Sequence, residues 1–220
     1  MRKRKIKNEF KYGYVLEKES QVFFAYLFDK LRLKNLFSDK KILALGCGVG
    51  AEPVALSKFT RLVVGVDIID YNEWEFFKSD KIEFNKTSSS NLPFANNTFD
   101  AVYLKDLLHH IKEVNKTIEE IKRVTKPRGN IVILEANRYN PIFYLYVTLL
   151  KGHDHFTQNE FKNLISQNFK NYRFIYLEAY PPFRFPMSIY LLILKAGKVI
   201  NKLTFLQPFF TYNAAIIKNI

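Results

Sequence analysis

The chain has a single cysteine, Cys47, among 220 residues. It can form no internal disulfide, and this fits a reducing cytoplasm better than a disulfide-stapled secreted domain. Long apolar runs are missing as well. The longest uncharged apolar stretch, Pro141 to Leu150, is too short to span a bilayer. No secretory leader is expected, because the basic start is followed by polar residues and not by an apolar core. One cysteine and four histidines lack the spacing of a zinc site. His153-Asp154-His155 offers only a weak chelate, so no metal is expected. No internal repeat is visible. Acid is also short relative to base: 34 Lys and Arg against 21 Asp and Glu give a formal net charge of +13. Arg2, Lys3, Arg4, Lys5, Lys7 and Lys11 stand against Glu9 alone at the amino terminus. Such a segment is a solvated tail, or a contact for nucleic acid or an anionic membrane.

What is present is ample for a core, at 48% hydrophobic residues. The length suits one domain with terminal additions. Residues 1–38 read as a basic tail with an amphipathic helix, and residues 39–220 as the main domain. The domain is organised around Lys40 to Ile68. The apolar run Ile42–Leu45 enters a glycine-rich turn, Gly46-Cys47-Gly48-Val49-Gly50. A helix follows, Ala51 to Phe59, with Pro53 in its first turn, where a missing N–H costs nothing. A second apolar run, Leu62–Val66, closes on Asp67. This is a strand, glycine loop, helix and strand ending in an acid, the nucleotide-binding half of a doubly wound sheet. The glycines let the backbone turn sharply and approach a ligand. Asp67 can accept hydrogen bonds from two ribose hydroxyls. The glycine spacing leaves the ligand open, since Gly46, Gly48 and Ala51 also meet the dinucleotide pattern.

A second signature lies downstream: Asn91-Leu92-Pro93-Phe94, then Thr98-Phe99-Asp100-Ala101-Val102-Tyr103. Together with the Leu45–Gly50 loop it resembles the class I S-adenosylmethionine-dependent methyltransferases, in particular the small-molecule group called type 11, over about Lys40 to Ala136. The resemblance implies a Rossmann-like α/β fold. Its doubly wound, mostly parallel sheet has seven strands, the last antiparallel and inserted beside the fifth, with helices on both faces. It implies S-adenosylmethionine as cofactor, held by Gly46, Cys47, Gly48, Gly50, Asp67 and Ile68. Ser88 and Ser89 join this set at the adenine side, and Lys105 and Asp106 at the strand-to-helix turn under the methionine part. Two positions depart from the family pattern. Ser88 stands where an Asp usually reads the adenine amine, so charge assistance is lost. Ala44 stands where an acid usually supports the loop.

Ser20 to Phe37 reads as one amphipathic helix, with Val22, Phe23, Tyr26, Leu27, Leu31 and Leu33 near helical spacing. Family members often carry such a helix over the substrate side. Ile68–Asp80 reads as irregular and aromatic, and Ile82–Phe84 as strand three. Phe99–Leu104 is strand four, Asn115–Thr125 a helix stopped by Pro127-Arg128-Gly129, and Ile131–Leu134 strand five. An aromatic insert, residues 137–156, follows. Thr157-Gln158-Asn159-Glu160 is a capping box that starts a helix running to about Phe169. Arg173–Glu178 is a strand. Met187–Leu203 has helical periodicity and is expected as an insertion between strands six and seven, with Thr211–Lys218 the last strand. The competing reading makes Ser188–Leu194 the last strand.

Methyl transfer from a sulfonium asks little of side chains beyond holding the acceptor near the methyl carbon and excluding water. A base is needed only where the acceptor must lose a proton. The candidates are His109, His110, Tyr139, His153 and His155, all in or after loops at strand carboxyl ends. Neighbouring histidines cannot share one helix face, so at most one of His109 and His110 faces the cofactor. Cys47 reads as a packing residue. The expected activity is methyl transfer to a small or amphiphilic acceptor, in the cytoplasm. Met187–Leu203, with Lys195, Lys198 and Lys202 in one stripe, reads first as a helix whose apolar face covers the sheet or substrate cleft while its lysines face water, and second as an element for peripheral membrane contact. The alternatives are a nucleic-acid methyltransferase, suggested by the charge but lacking the Asn/Asp-Pro-Pro-aromatic motif, and a degenerate cofactor-binding scaffold. A nicotinamide dehydrogenase stands further off, because Leu92-Pro93-Phe94 is foreign to it. The methyl acceptor and the oligomeric state are not written in the sequence.

Overall fold

The computed structural model describes residues 18–149, 155–180 and 186–220. The basic residues before position 18 lie outside that set, as does His153. Helical spacing of Phe23, Tyr26 and Leu27 produces α1 (Lys18–Lys30), which buries these residues with Phe24 and Phe28. The expected continuation to Phe37 breaks at Arg32, whose φ of 54° is left-handed. A helix interior does not hold that conformation. A short α2 (Leu33–Phe37) resumes after it.

Strand β1 (Lys41–Leu45) feeds the glycine loop, then α3 (Ala51–Leu56) and β2 (Leu62–Asp67). Helix α3 ends three residues before the expected Phe59. The stretch read as irregular contains a single helical turn, α4 (Trp74–Phe77), with Trp74 and Phe77 buried. Next come β3 (Ile82–Lys86), β4 (Phe99–Lys105), a 3-10 turn at Leu108–His110, α5 (Val114–Val124) and β5 (Thr125–Ala136). The Pro127-Arg128-Gly129 turn is absorbed at the start of β5. Arg128 has φ 62° there, and the β4–β5 register shifts between Phe99 and Ala101. The aromatic insert forms α6 (Pro141–Phe143), capped by Asn140 and continuing as a π-helical segment, Tyr144–Leu149. Helix α7 (Gln158–Asn168) carries the capping box formed by Thr157 and Glu160. After β6 (Tyr172–Leu177) come α8 (Met187–Ile200), a 3-10 segment at Thr204–Phe209 and β7 (Tyr212–Lys218). Met187–Ile200 is therefore a helix between strands six and seven, and Ser188–Leu194 is not a strand.

The sheet has seven strands in the order β3-β2-β1-β4-β5-β7-β6. The β1–β5 pairings are parallel, and β7 runs antiparallel to both neighbours. Alternation along the strands splits the core into two layers. Ile42, Ala44 and Val63 face α1, α2 and α3. Leu43, Leu45 and Val64 face α5 and α7. On that second side Ile118, Ile121 and Val124 of α5 are each 0% exposed, worth about 1.5–3 kcal/mol apiece. Ala136 and Leu177 both pair with Tyr212. The carboxyl ends of β5 and β6 and the start of β7 thus share one edge of the sheet, and Gly46, Asp67, Lys105, Asp106 and Glu135 stand at or just after the carboxyl ends of its parallel strands.

Candidate active site

Where β1 ends, the chain must turn within a few residues. Gly46 takes φ +70°, and a Cβ there would lie 2.7 Å from Leu107 Cδ1. The amides of Gly46 and Cys47 both donate to Val66 O, at 2.7 and 3.0 Å, which ties the loop to the end of β2. Gly48 has φ +50°, and a Cβ there would meet nothing within 4 Å. Its carbonyl accepts from the Trp74 indole N–H at 2.8 Å, and Trp74 stacks on Phe84 with centroids 5.0 Å apart. The loop is therefore pinned from below and open above.

Asp67 stands opposite. Oδ2 accepts from Gly48 N–H at 2.9 Å and Oδ1 from Ile69 N–H at 3.0 Å. Each carboxylate oxygen has a further lone pair. A cleft of about 280 Å³ opens here, lined by Gly46, Asp67, Ile68, Ser88, Ser89 and His110 with neighbouring residues of the same loops. Ile68 is 69% exposed at its rim. On the far wall Ser88 Oγ lies 2.9 Å from Ser90 Oγ, and Ser89 Oγ lies 3.1 Å from Thr117 Oγ1. Thr87 N–H donates to Asp67 O at 2.9 Å, closing this loop against β2.

Of the proposed cofactor residues, Gly46, Asp67, Ile68, Ser88 and Ser89 come together in the cleft. Cys47 is buried under the loop toward Gly65. Burial, with Asp67 and Glu52 nearby, holds its thiol pKa well above the ordinary value, which suits a packing residue better than a nucleophile. Lys105 and Asp106 lie outside the cleft lining and bond each other, Nζ to Oδ2, at 2.6 Å. Lys105 also reaches Glu52 Oε1 at 3.8 Å. Burial works against the Lys105 charge, but Asp106, Tyr212 and Glu52 outweigh it, and the pKa stands well above its usual value. Asp106 is held below its usual value in turn, Lys105 outweighing its burial. Asp106 has φ +50°, an unusual conformation for a non-glycine. Its Oδ1 accepts from Ala136 N–H at 3.0 Å, which secures that turn to β5.

The two adjacent histidines diverge. His110 lines the cleft. His109 turns inward, where its Nδ1 lies 2.6 Å from Glu135 Oε2. Glu135, fully buried at the carboxyl end of β5, also accepts from Leu107 N–H at 3.1 Å and Leu108 N–H at 2.7 Å through Oε1. Burial raises its pKa, with the His109 hydrogen bond opposing. The His109 ring meets His110 at 3.9 Å and buried His155 at 4.3 Å between centroids. Three of the candidate bases are thus one cluster. Tyr139 is exposed on the insert, with its backbone N–H bonded to Asn137 Oδ1. Glu135 was not among the sequence candidates. Its one signal was an acid ending the apolar run Ile131–Leu134. Among the described residues no cluster of metal-ligating side chains occurs.

A glycine loop closed on β2, an acid at the end of β2 and a seventh strand inserted antiparallel beside the fifth define a class I methyltransferase architecture. Residues 43–133, under half of the chain, match the methyltransferase domain family of type 11. Among curated relatives, a demethylmenaquinone methyltransferase of Clavibacter sepedonicus is 33% identical over 44% of this chain and 41% of its own. A sterol 24-C-methyltransferase of Gibberella zeae is 36% identical over 43% of this chain and 27% of its own. The matches thus span under half the length of these relatives. The crystal structure of an S-adenosylmethionine-dependent methyltransferase from Thermotoga maritima matches 97% of this chain and 95% of its own, with a TM-score of 0.66 at 15% identity. That likeness extends the shared fold beyond the family segment.

Proposed function

We propose that the chain transfers a methyl group from S-adenosylmethionine to a small amphiphilic acceptor, working in the cytoplasm. The observation that carries the reading is the Asp67 carboxylate, fixed by two backbone N–H groups at the mouth of the glycine loop with lone pairs left for a vicinal diol. The cofactor fits the residues present. The open space above Gly48 admits a close ligand, and exposed Ile68 offers an apolar face for a purine. Ser88 can accept from the adenine amine where the family uses a carboxylate. The names of the curated relatives, a demethylmenaquinone and a sterol methyltransferase, support a lipid-like acceptor. Nucleic acid is the second choice, and rests on net charge alone.

S-adenosylmethionine, when bound, supplies an electrophilic methyl group on a sulfonium sulfur. Asp67, Gly46 and Gly48 bind and orient. Leu107 and Ile111 give the same cleft apolar walls. With Glu135 ionised, its hydrogen bond holds a proton on His109 Nδ1 and leaves Nε2 as the nitrogen that can take one up. The ring contacts to His110 and His155 connect that nitrogen's surroundings to the cleft and to the aromatic insert. Such a cluster suits an acceptor, carbon or hydroxyl, that must shed a proton as it is methylated.

Calorimetric titration with S-adenosylhomocysteine tests the reading. Wild type should bind, and Asp67→Ala should weaken binding by about 1–3 kcal/mol, the cost of unpaired ribose hydroxyls. Absence of binding to wild type would overturn the assignment. Equal affinity in the variant would remove Asp67 from the site.

A further inference from the structure

No Asp or Glu occurs from position 179 to position 220, or from 136 to 153. These acid-free stretches contain α6, α8 and the 3-10 segment at Thr204–Phe209. Helix α8 buries only a narrow stripe, Tyr190, Leu194 and Gly197. Met187, Ile193 and Ile200 are half-buried, but Ile189 and Leu191 are exposed, Leu192 is 67% and Val199 62% exposed, and Phe205 beyond the helix is 74% exposed. Lys195, Lys198 and Lys202 are exposed among them. The apolar residues of this helix therefore do not all pack on the sheet with the lysines alone outside.

The location of this surface is fixed. Tyr190 Oη donates to Tyr180 O at 3.1 Å, and Asn201 Nδ2 donates to Glu178 O at 3.1 Å. Both ends of α8 are thus anchored to the segment leaving β6, at the edge where β5 also ends. The 3-10 segment joins the aromatic insert there. Asn140 Nδ2 donates to Phe209 O at 2.8 Å, and Asn137 Nδ2 to Pro208 O at 2.9 Å. Exposed Ile142 and Leu145 of the insert follow directly after Asn140.

We infer that α8 and the 3-10 segment, together with Ile142 and Leu145, form a docking surface for an anionic phospholipid bilayer. An exposed apolar helix face interspersed with lysines and free of acid is the pattern of an element lying in a membrane interface. The apolar side chains enter the acyl boundary while the lysines meet anionic headgroups. Other occupants match less well. Isologous pairing with a second copy would set lysine stripes against each other. Nucleic acid would satisfy the lysines and leave Leu192, Val199 and Phe205 in water. The inference stands on this surface and goes beyond the acceptor reading.

Flotation with vesicles of phosphatidylcholine, with and without phosphatidylglycerol, tests it. Wild type should float with the phosphatidylglycerol vesicles at low salt and be largely released at high salt. Replacing Lys195, Lys198 and Lys202 by Ala should weaken binding about fivefold per lysine. The variant L192S/V199S/F205S should weaken it at least tenfold, while its melting temperature and S-adenosylhomocysteine binding stay at wild-type values. These residues are exposed and touch neither the cleft nor the core, so loss of fold is read separately from loss of docking. Wild type left in the soluble fraction with both vesicles would overturn the inference. So would unchanged flotation of L192S/V199S/F205S, or a lipid-free dimer in sedimentation that this variant abolishes. Docking without detectable methyl transfer would sink the acceptor reading and leave this one standing.

Discussion

Replacing Glu135 by Gln exchanges one hydrogen-bonding atom at a fully buried position. The amide oxygen can still accept from Leu107 and Leu108, which Glu135 Oε1 does at 3.1 and 2.7 Å. The amide nitrogen then faces His109 Nδ1, where Oε2 now accepts at 2.6 Å. It donates, so the imidazole proton must move to Nε2. The charge-assisted bond becomes a neutral one, a loss of about 1–2 kcal/mol, and relief of carboxylate burial offsets part of it. That burial raises the folded-state pKa of Glu135. Its favourable contribution is therefore fully present below the unfolded carboxyl pKa and is lost as pH rises through the folded value. The E135Q protein, which has no carboxyl to titrate there, should lack that slope. Glu135→Ala differs, because it strands two peptide N–H groups and an imidazole in the core, at about 3–6 kcal/mol. Urea melts should thus show E135Q near wild type and E135A far less stable. Nitrogen-resolved NMR should show the His109 proton on Nδ1 in wild type and on Nε2 in E135Q. On an acceptor that must lose a proton, methyl transfer should fall about 10²–10⁴-fold in E135Q. An Nε2–H tautomer in wild type, or an E135Q enzyme of full rate, would refute the reasoning and leave Glu135 as a cap for the 3-10 turn.

Gly46→Ala, with a left-handed φ and Leu107 Cδ1 at 2.7 Å from the new Cβ, should cost about 1–3 kcal/mol in urea melts and weaken S-adenosylhomocysteine binding. Trp74 is the chain's one tryptophan and donates to Gly48 O, so ligand binding should change its fluorescence, whereas Asp67→Ala should need more ligand for the same change. Burial works against the charge of Asp100, but the Lys126 hydrogen bond, the Lys41 N–H and Arg61 outweigh it and hold its pKa below the ordinary value. Its stabilisation is present above the unfolded pKa and lost as pH falls through the folded one, so Asp100→Asn should cost about 1–3 kcal/mol at neutral pH and nothing at strongly acid pH.

The parts legible in the sequence were those with local causes. Gly46–Gly50 between two apolar runs, the Thr157–Glu160 capping box and the spacing through Met187–Leu203, of which the helix takes Met187–Ile200, each carry their own geometry within a few residues. The break at Arg32 was not legible, because a left-handed non-glycine leaves no compositional mark. The neighbours His109 and His110 were candidates from the start, but their separate directions depend on Glu135, 26 residues from His109 in sequence and supplied by the next strand. Lys105 and Asp106 had the right position at the end of β4. They are neighbours whose ion pair is local, but the approach of Lys105 to Glu52 is tertiary, and no spacing rule announces it.

The place of β7 bears on how the protein can be made. Synthesis delivers β5 and then β6, yet in the finished sheet the two never touch, because β7 separates them. Until β7 emerges from the ribosome, the outer edge of Ile131–Leu134 is an open, wholly apolar template. A nascent chain that pairs β5 with β6 too early has closed the gap that β7 must fill, and has to unzip before it can finish. The helical segments made between β5 and β7 lengthen that exposure, so chaperone dependence should concentrate in the interval between the synthesis of β5 and that of β7.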